Sequence, residues 1–368
     1  HAGYTEDGVL MGVPILTEPE AAGSNFNVPR STFVDCMKAL KEDARLALEG
    51  LPWEYGDAAE MQRLSAKYAG ADQGKVTRVF GANFIGRMSG KVVEAFVAKA
   101  DLLAASPAYS DQSGVDWKTA AASAAKVLNH IGGVDGMDPT GWTWYCNVDD
   151  IEKLSPTESP AEILWRGERA KSLSLEEDNF PPTLYGNGRI NPTQNLVDAF
   201  PMLNGYPVSH LSGEYDENLP YANRDPRLEA YILYNGCKAG NTNKEIFTAA
   251  DGTTNDALNK VVGRSTRTGY YLRKLLRQDI SLDPNAKADQ YHYTPRIRYT
   301  EIFLAYAEAA NQAYGPQDKG GNGYSAYDVV KKLRHRAGIG RDNGDAYLES
   351  IKNDQAKMAE LIRNERRI

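Results

Sequence analysis

A mostly α-helical fold is predicted, in which helix hairpins support a long, irregular, loop-rich insert with short strands. Three observations carry the prediction. Apolar residues recur at spacings of three and four near both ends of the 368-residue chain. Two alanine-rich helical pairs repeat each other at a constant offset. Between them, from about residue 132 to 295, the helical period disappears and Gly, Pro, Asn, Asp and Tyr dominate.

The first helix spans residues 32–49. Thr32 and Asp35 make a capping-box-like pair, with an acid in place of the usual Glu or Gln. Phe33, Met37, Leu40, Ala44 and Leu48 form one apolar face, and Gly50 and Pro52 stop the helix. A second helix follows Ser89, its N-cap. Its face is Val92, Phe96, Ala100 and Leu103, and it ends before Pro107. The third runs from Asp116 to Asn129, where Ala120, Ala121, Ala122, Ala124 and Ala125 let a neighbouring helix approach closely. The pattern returns over 300–314, ending at Gly315-Pro316, and over 325–336, ending at Gly338. Residues 358–368 run as a helix without a C-cap. With a histidine at residue 1, this reads as an internal portion of a longer chain. The expected organisation is one domain, 1–368, truncated at both ends. Its helical scaffold occupies 32–131 and 296–368, and its ligand-facing insert 132–295.

The two pairs match at an offset of 207: Glu94, Phe96, Ala98 and Ala100 against Glu301, Phe303, Ala305 and Ala307, and Trp117 against Tyr324. Small residues, an aromatic and an antiparallel partner describe a tetratricopeptide-like hairpin. Two unrelated alanine-rich pairs would give a similar pattern. Within the insert, residues 161–166 (AEILWR) read as a short strand. An insert this long packs and has a task, so the helices are scaffold and the insert is the functional face.

Composition removes several functions. Hydrophobic residues are 42% and charged residues 25%, with no stretch near the roughly 20 apolar residues of a membrane helix. Lys and Arg total 42 against 49 Asp and Glu, a net charge of −7 without a basic stripe, which argues against nucleic acid as a partner. Cys36, Cys146 and Cys237 lie far apart, with neither a zinc spacing nor a disulfide framework. The five histidines have no metal-binding spacing. Asp279, Asp283 and Asp289 could give oxygen ligands to a structural calcium ion but lack the loop that would indicate one, so no cofactor is expected. The run GADQGKV at 70–76 is one residue short of a phosphate loop, and GRMSG at 86–90 has one residue too many for a nucleophile elbow. Carboxylates distant in sequence could converge, yet nothing local argues for an enzyme.

Tyrosine stands out, with 21 Tyr against 9 Phe. Its ring offers an apolar face and a hydroxyl edge, which suits surfaces and interfaces. A pyranose presents axial C–H groups to such a face and equatorial hydroxyls to planar polar partners. The run GWTWYCN at 141–147 places Trp142 and Trp144 two apart, on one side of an extended segment. The run NFPPTLYGNGR at 179–189 sets Tyr185 beside Asn187 and Arg189. Trp142, Trp144 and Tyr185 are therefore the expected stacking platforms, and Asn187 and Arg189 the hydroxyl partners. The competing role for each ring is to plug the insert onto the helices.

Several segments, in order along the whole chain, resemble the SusD/RagB family. The sharpest are PTQNLVDAFPMLNG at 192–205 and YANRDPRL at 221–228. They are followed by YTPRIRYTEIFLAYAEA at 293–309, VKKLRHRAG at 330–338 and IRNERRI at 362–368, and preceded by GVPIL at 12–16, PRS at 29–31 and GRMS at 86–89. The resemblance implies tetratricopeptide-like hairpins, agreeing with the pattern above, and no catalysis. It implies a cell-surface receptor that captures an oligosaccharide and delivers it to a SusC-type TonB-dependent transporter. Such proteins face the exterior from the outer leaflet of the outer membrane, held by a lipidated N-terminal cysteine that would precede His1; a further family segment would follow Ile368. RagB-like members make a peptide-binding transporter lid the alternative, and a glycoside hydrolase is a remote third. The shared motifs read as scaffold: Arg296, Arg298, Glu301 and Glu308 as ion pairs between hairpins, and Arg224-Asp225-Pro226 as a fixed turn. No binding residue is carried over by motif.

Overall fold

The computed structural model describes residues 3–342 and 344–368. The chain divides into two compact units, His1–Gly136 with Glu301–Ala326, and Met137–Thr300 with Tyr327–Ile368.

The first unit is built from helices. Helix Phe33–Gly50 begins at Thr32, whose hydroxyl accepts the Asp35 N–H at 3.2 Å, as the capping pair predicts. At its centre, Gly90–Ala105 packs against Trp117–Asn129. The two run antiparallel: Lys126 meets Glu94 at 2.6 Å while Ser123 donates to Asp101 at 2.6 Å. Their contact is lined by Ala95, Ala98, Ala120, Ala121, Ala124 and Ala125, all buried. The face expected for Gly90–Ala105 is corrected here. Phe96 and Leu103 are 43% and 54% exposed, and Ala95, Ala98 and Asp101 are buried in place of those bulky side chains. Close helix approach selects small residues over hydrophobic ones, and Asp101 is held by Lys41 at 2.9 Å. Ser89 occupies the N-cap position, but its hydroxyl makes no capping bond. Two further helices, Ala58–Lys67 and Gln73–Phe80, start at the capping carboxylates of Asp57 and Asp72, so the loop-like run at 70–76 is a helix start. The repeat-related helix Tyr299–Tyr314 buries Phe303, Ala305, Tyr306, Ala307 and Ala309. Glu301 meets Lys99 at 2.8 Å, and the Tyr306 hydroxyl donates to the Tyr324 carbonyl at 2.6 Å.

The second unit has little regular structure. Its longest element is an antiparallel ribbon pairing Ile163–Ser172 with Gln290–Arg298, interrupted by register shifts. The short strand expected at 161–166 is the start of this ten-residue strand, and its partner lies where no strand was expected. Around it stand the six-residue helices Ser174–Asn179, Gln194–Ala199 and Pro226–Tyr231, and the 13-residue helix Gln355–Arg367. One core cluster joins Trp144, Tyr145, Phe200, Tyr231, Tyr270 and Tyr293, and a second joins Phe180, Leu233, Ile246, Tyr271 and Leu276.

Buried ion pairs tie distant segments of this unit together. Arg227 bonds Asp225 at 2.6 Å and Glu365 at 2.7 Å, and Arg334 bonds Glu365 at 2.8 Å and Asp345 at 2.5 Å. Glu162 receives Arg298 at 3.0 Å and Arg336 at 3.3 Å. The expected pairing among Arg296, Arg298, Glu301 and Glu308 is thus corrected in part. Arg298 pairs with Glu162 beside the ribbon, Arg296 stacks over the Trp165 ring at 4.6 Å, Glu301 meets Lys99, and Glu308 is half-buried. The turn expected at Arg224-Asp225-Pro226 is instead a bridge from Arg224 to Met202 followed by Asp225, which caps the helix whose first residue is Pro226. Among the described residues, no helix is long and apolar enough to cross a membrane.

Candidate functional site

The second unit contains a cavity of about 480 Å³ beside the long ribbon. Period-two geometry puts Tyr291 and Tyr293 on one side of their strand, and both line the cavity with Trp144 and Tyr145. Trp144 meets Tyr145 edge-on, with centroids 5.8 Å apart. The Arg169 guanidinium lies 3.6 Å from the Tyr291 ring centroid and its Nε donates to the Tyr293 hydroxyl at 3.0 Å, so both rings are fixed in place.

Polar groups complete the wall. Arg277 is fully buried and held by Asp279 at 2.6 Å and Glu152 at 2.9 Å, while its Nη1 donates to the Tyr291 carbonyl at 3.0 Å. Burial alone would lower the Arg277 pKa, but the bonds to Asp279 and Glu152 outweigh it and keep the guanidinium charged. Glu176, also fully buried, accepts the Arg277 N–H at 2.8 Å and contacts His292 Nε2 at 3.1 Å. Desolvation pushes the Tyr145 phenol well above its usual value, leaving it a neutral donor to the Ala230 carbonyl at 3.1 Å. Two buried polar atoms have no protein partner: Nε1 of Trp144 and Oε2 of Glu176.

Aromatic faces beside polar groups suit the cavity to binding. Glu168 and Asp178 line it, Glu168 exposed and Asp178 partly so, and Glu176, next to Leu175 of the wall, is buried. Among the described residues, no three His, Cys, Asp or Glu side chains are grouped to hold a metal ion. Asp279 is engaged by Arg277, Asp289 by Lys171 at 3.6 Å, and Asp283 accepts the Asn285 N–H at 2.9 Å.

The residues expected to bind are distributed unequally. Residues 141–147 form successive turns rather than an extended segment, a correction with a local cause: Asn147 Nδ2 donates to the Thr140 carbonyl at 3.3 Å and Thr143 bonds Asn147 at 3.0 Å. Trp144 is 4% exposed and lines the cavity from within the core, whereas Trp142 is half-buried and its carbonyl accepts the Tyr231 hydroxyl at 2.7 Å. Tyr185 is 48% exposed and caps a short helical turn at φ +66°. Asn187 is half-buried and its N–H donates to the Glu177 carbonyl at 2.9 Å. Arg189 meets Asp178 of the cavity wall at 3.3 Å. Of the expected residues, Trp144 lines the cavity and Arg189 reaches it only through Asp178. Tyr291, Tyr293 and Arg277 were missed, although the YHY run at 291–293 carries the same period-two aromatic signal applied to Trp142 and Trp144.

The chain belongs to the SusD family: the model of that family matches residues 165–368. Its fold is similar to that of a SusD-like protein from Bacteroides fragilis, at 23% identity and a TM-score of 0.62, covering 97% of this chain and 61% of that one. A SusD-like carbohydrate binding protein from the same organism matches at 20% identity and a TM-score of 0.62, covering 97% and 60%. The chain therefore spans about three-fifths of the length of the solved structures it matches. No curated protein matches it.

Proposed function

We propose that this protein captures an oligosaccharide without hydrolysing it, in the cavity between Trp144, Tyr145, Tyr291 and Tyr293. One observation carries the reading: a cavity of about 480 Å³ is walled by the rings of Trp144, Tyr145, Tyr291 and Tyr293. Rings supply the apolar faces that pyranose C–H groups pack against, and Glu168 and Ser172 supply polar partners for hydroxyls. Family membership, and the carbohydrate binding named for one structural neighbour, support the same reading. In the whole protein, capture would serve delivery to a SusC-type TonB-dependent transporter, from a lipid-anchored position on the outer face of the outer membrane.

A glycan-array screen followed by isothermal titration of the best hit tests this. Each stacking ring is worth ~1–3 kcal/mol, so Tyr291→Ala weakens binding about 5- to 150-fold. Trp144→Phe, which keeps the core filled but removes the indole N–H, weakens it less. Unchanged affinity in both variants would exclude the cavity as the site, and a blank array with peptide capture would replace the sugar reading with a peptide-binding one.

A further inference from the structure

The same unit has a second opening, a cleft of about 590 Å³ lined by Gln194, Asp198, Tyr215, Glu217, Tyr221 and Tyr270 among others. We propose that this cleft is a separate carbohydrate subsite selective for neutral sugars. The inference rests on the carbohydrate reading above and adds a site and a charge preference to it.

The cleft is built rather than incidental. Tyr221 stacks on Tyr234 with centroids 4.0 Å apart, which takes one face of its ring. Arg224 lies 5.6 Å from the centroid of Tyr215 and covers one face of that ring. Both rings line the cleft. Tyr270, 6% exposed, stands edge-on to Tyr221 with an interplanar angle of 89°. A directed chain of hydrogen bonds locks the wall. The Tyr221 hydroxyl donates to that of Tyr270 at 3.3 Å, Tyr270 donates to Gln194 Oε1 at 2.6 Å, and Gln194 Nε2 donates to Asp198 Oδ1 at 2.8 Å. The chain ends on a carboxylate, so the polar surface it leaves is rich in acceptors. Glu217 adds a second, exposed carboxylate.

Acceptors beside rings suit sugar hydroxyls, which donate to carboxylates while ring C–H groups pack on tyrosine. Among the described residues, no lysine, arginine or histidine lines the cleft. A uronate or sulfate would meet two carboxylates and no lining cation, so acidic glycans are rejected. Arg224 offers the cleft no Nη donor, because its Nη groups donate to the carbonyls of Pro220, Val197 and Phe200 at 2.7–2.9 Å, and its charge is met by the carboxylates of Asp198 and Asp225. The cavity described above differs, since Arg277 and His292 line it. The two openings flank one core cluster: Trp144, Tyr145 and Tyr293 face the first, and Tyr270 with the adjoining Tyr221 faces the second.

Titration of the full chain with cellohexaose, xylohexaose and chitohexaose, against hexagalacturonate as the acidic probe, tests the proposal. In Tyr291→Ala protein, a neutral-hexaose binding event persists that hexagalacturonate does not displace. Adding Tyr215→Ala to that background weakens this event about tenfold or more. Glu217→Lys, an exposed substitution that leaves the core untouched, weakens the neutral event and lets hexagalacturonate bind. If Tyr291→Ala alone abolishes all hexaose binding, the second subsite is excluded while the cavity stands. If Tyr215→Ala and Glu217→Lys leave every event unchanged, the cleft is excluded in the same way. Absence of binding by every hexaose to the unsubstituted protein would overturn this inference together with the sugar reading beneath it.

Discussion

In the unit formed by His1–Gly136 and Glu301–Ala326, alanine-lined helix contacts dominate and polar pairs such as Lys99–Glu301 lie at their margins; in Met137–Thr300 with Tyr327–Ile368, buried long-range ion pairs hold irregular segments together. The first unit brings together alanines from two helices about ten residues apart in the chain. The second joins Arg227 to Glu365 across 138 residues and Arg336 to Glu162 across 174. Regular helices satisfy their own backbone groups, so side chains in the first unit need only fill space. Loops leave backbone groups to be satisfied elsewhere, and buried arginines do this: Arg224 bonds three carbonyls, and Arg334 bonds the Gly205 carbonyl at 2.8 Å. An irregular segment can thus hold a rigid binding wall when its polar groups are cross-linked by charge-assisted bonds.

The largest test of this contrast is to remove the acid that bridges Arg227 and Arg334. Glu365→Gln keeps the shape and leaves two buried guanidinium groups short of a counter-charge, a loss of ~3–5 kcal/mol in urea unfolding. A loss below ~1 kcal/mol would mean that the network is dispensable. Acid should reveal the same bond. Burial would raise the Glu365 pKa, but Arg227 and Arg334 overcome it and hold the carboxyl below its ordinary value of 4.5. The folded-state pKa is depressed, so the stabilisation is complete above pH 4.5 and is lost as pH falls through the folded value. The difference in melting temperature between the parent and Glu365→Gln should therefore be constant from neutral pH to about pH 5 and shrink below 4.5.

Legibility followed the same division. Helix periods at 32–49, 116–129 and 300–314 were readable because each helix repeats its own environment every turn. The buried face of Gly90–Ala105 was misread because hydrophobicity ranks Phe96 and Leu103 above alanine, while close helix approach reverses that order. In the second unit, turns at 141–147 depend on side chains of Thr140, Thr143 and Asn147 that carry no period. The motif arginines were readable as scaffold, yet their partners were not, since nothing in the local sequence of Arg298 or Arg334 points to Glu162 or Asp345. For the candidate cavity, Trp144 was singled out by composition, whereas Arg277 owes its place to a turn-rich segment. Gln194 and Asp198 lay inside a motif read as scaffold, and the fold brings them to a cleft wall.

Packing in the first unit can be challenged with the opposite change. Ala121 is fully buried against the neighbouring helix, and Ala121→Leu forces three extra heavy atoms into a filled interface at a cost of ~1–3 kcal/mol. Leu103→Ala, on the exposed face of Gly90–Ala105, should stay within ~0.5 kcal/mol despite removing more hydrophobic surface. If the two results were reversed, the face assignment of that helix would be wrong.

The smallest effect belongs to the start of Trp117–Asn129, where the first unit, too, relies on a polar bond. Asp116 Oδ1 accepts the Thr119 N–H at 2.8 Å and the Thr119 hydroxyl at 2.7 Å. These bonds, led by the Thr119 N–H, hold the Asp116 carboxyl below its ordinary value of 3.8. Asp116→Ala should cost ~1 kcal/mol and speed hydrogen exchange in the first turn, while Asp116→Asn, which retains an acceptor, should cost less. Because the pKa is depressed, the difference between aspartate and alanine should persist above about pH 4 and fade as the carboxyl protonates. A capping loss confined to that turn, beside a Glu365→Gln loss that spreads through its whole unit, would show that polar bonds in the first unit finish helices and those in the second unit hold the fold.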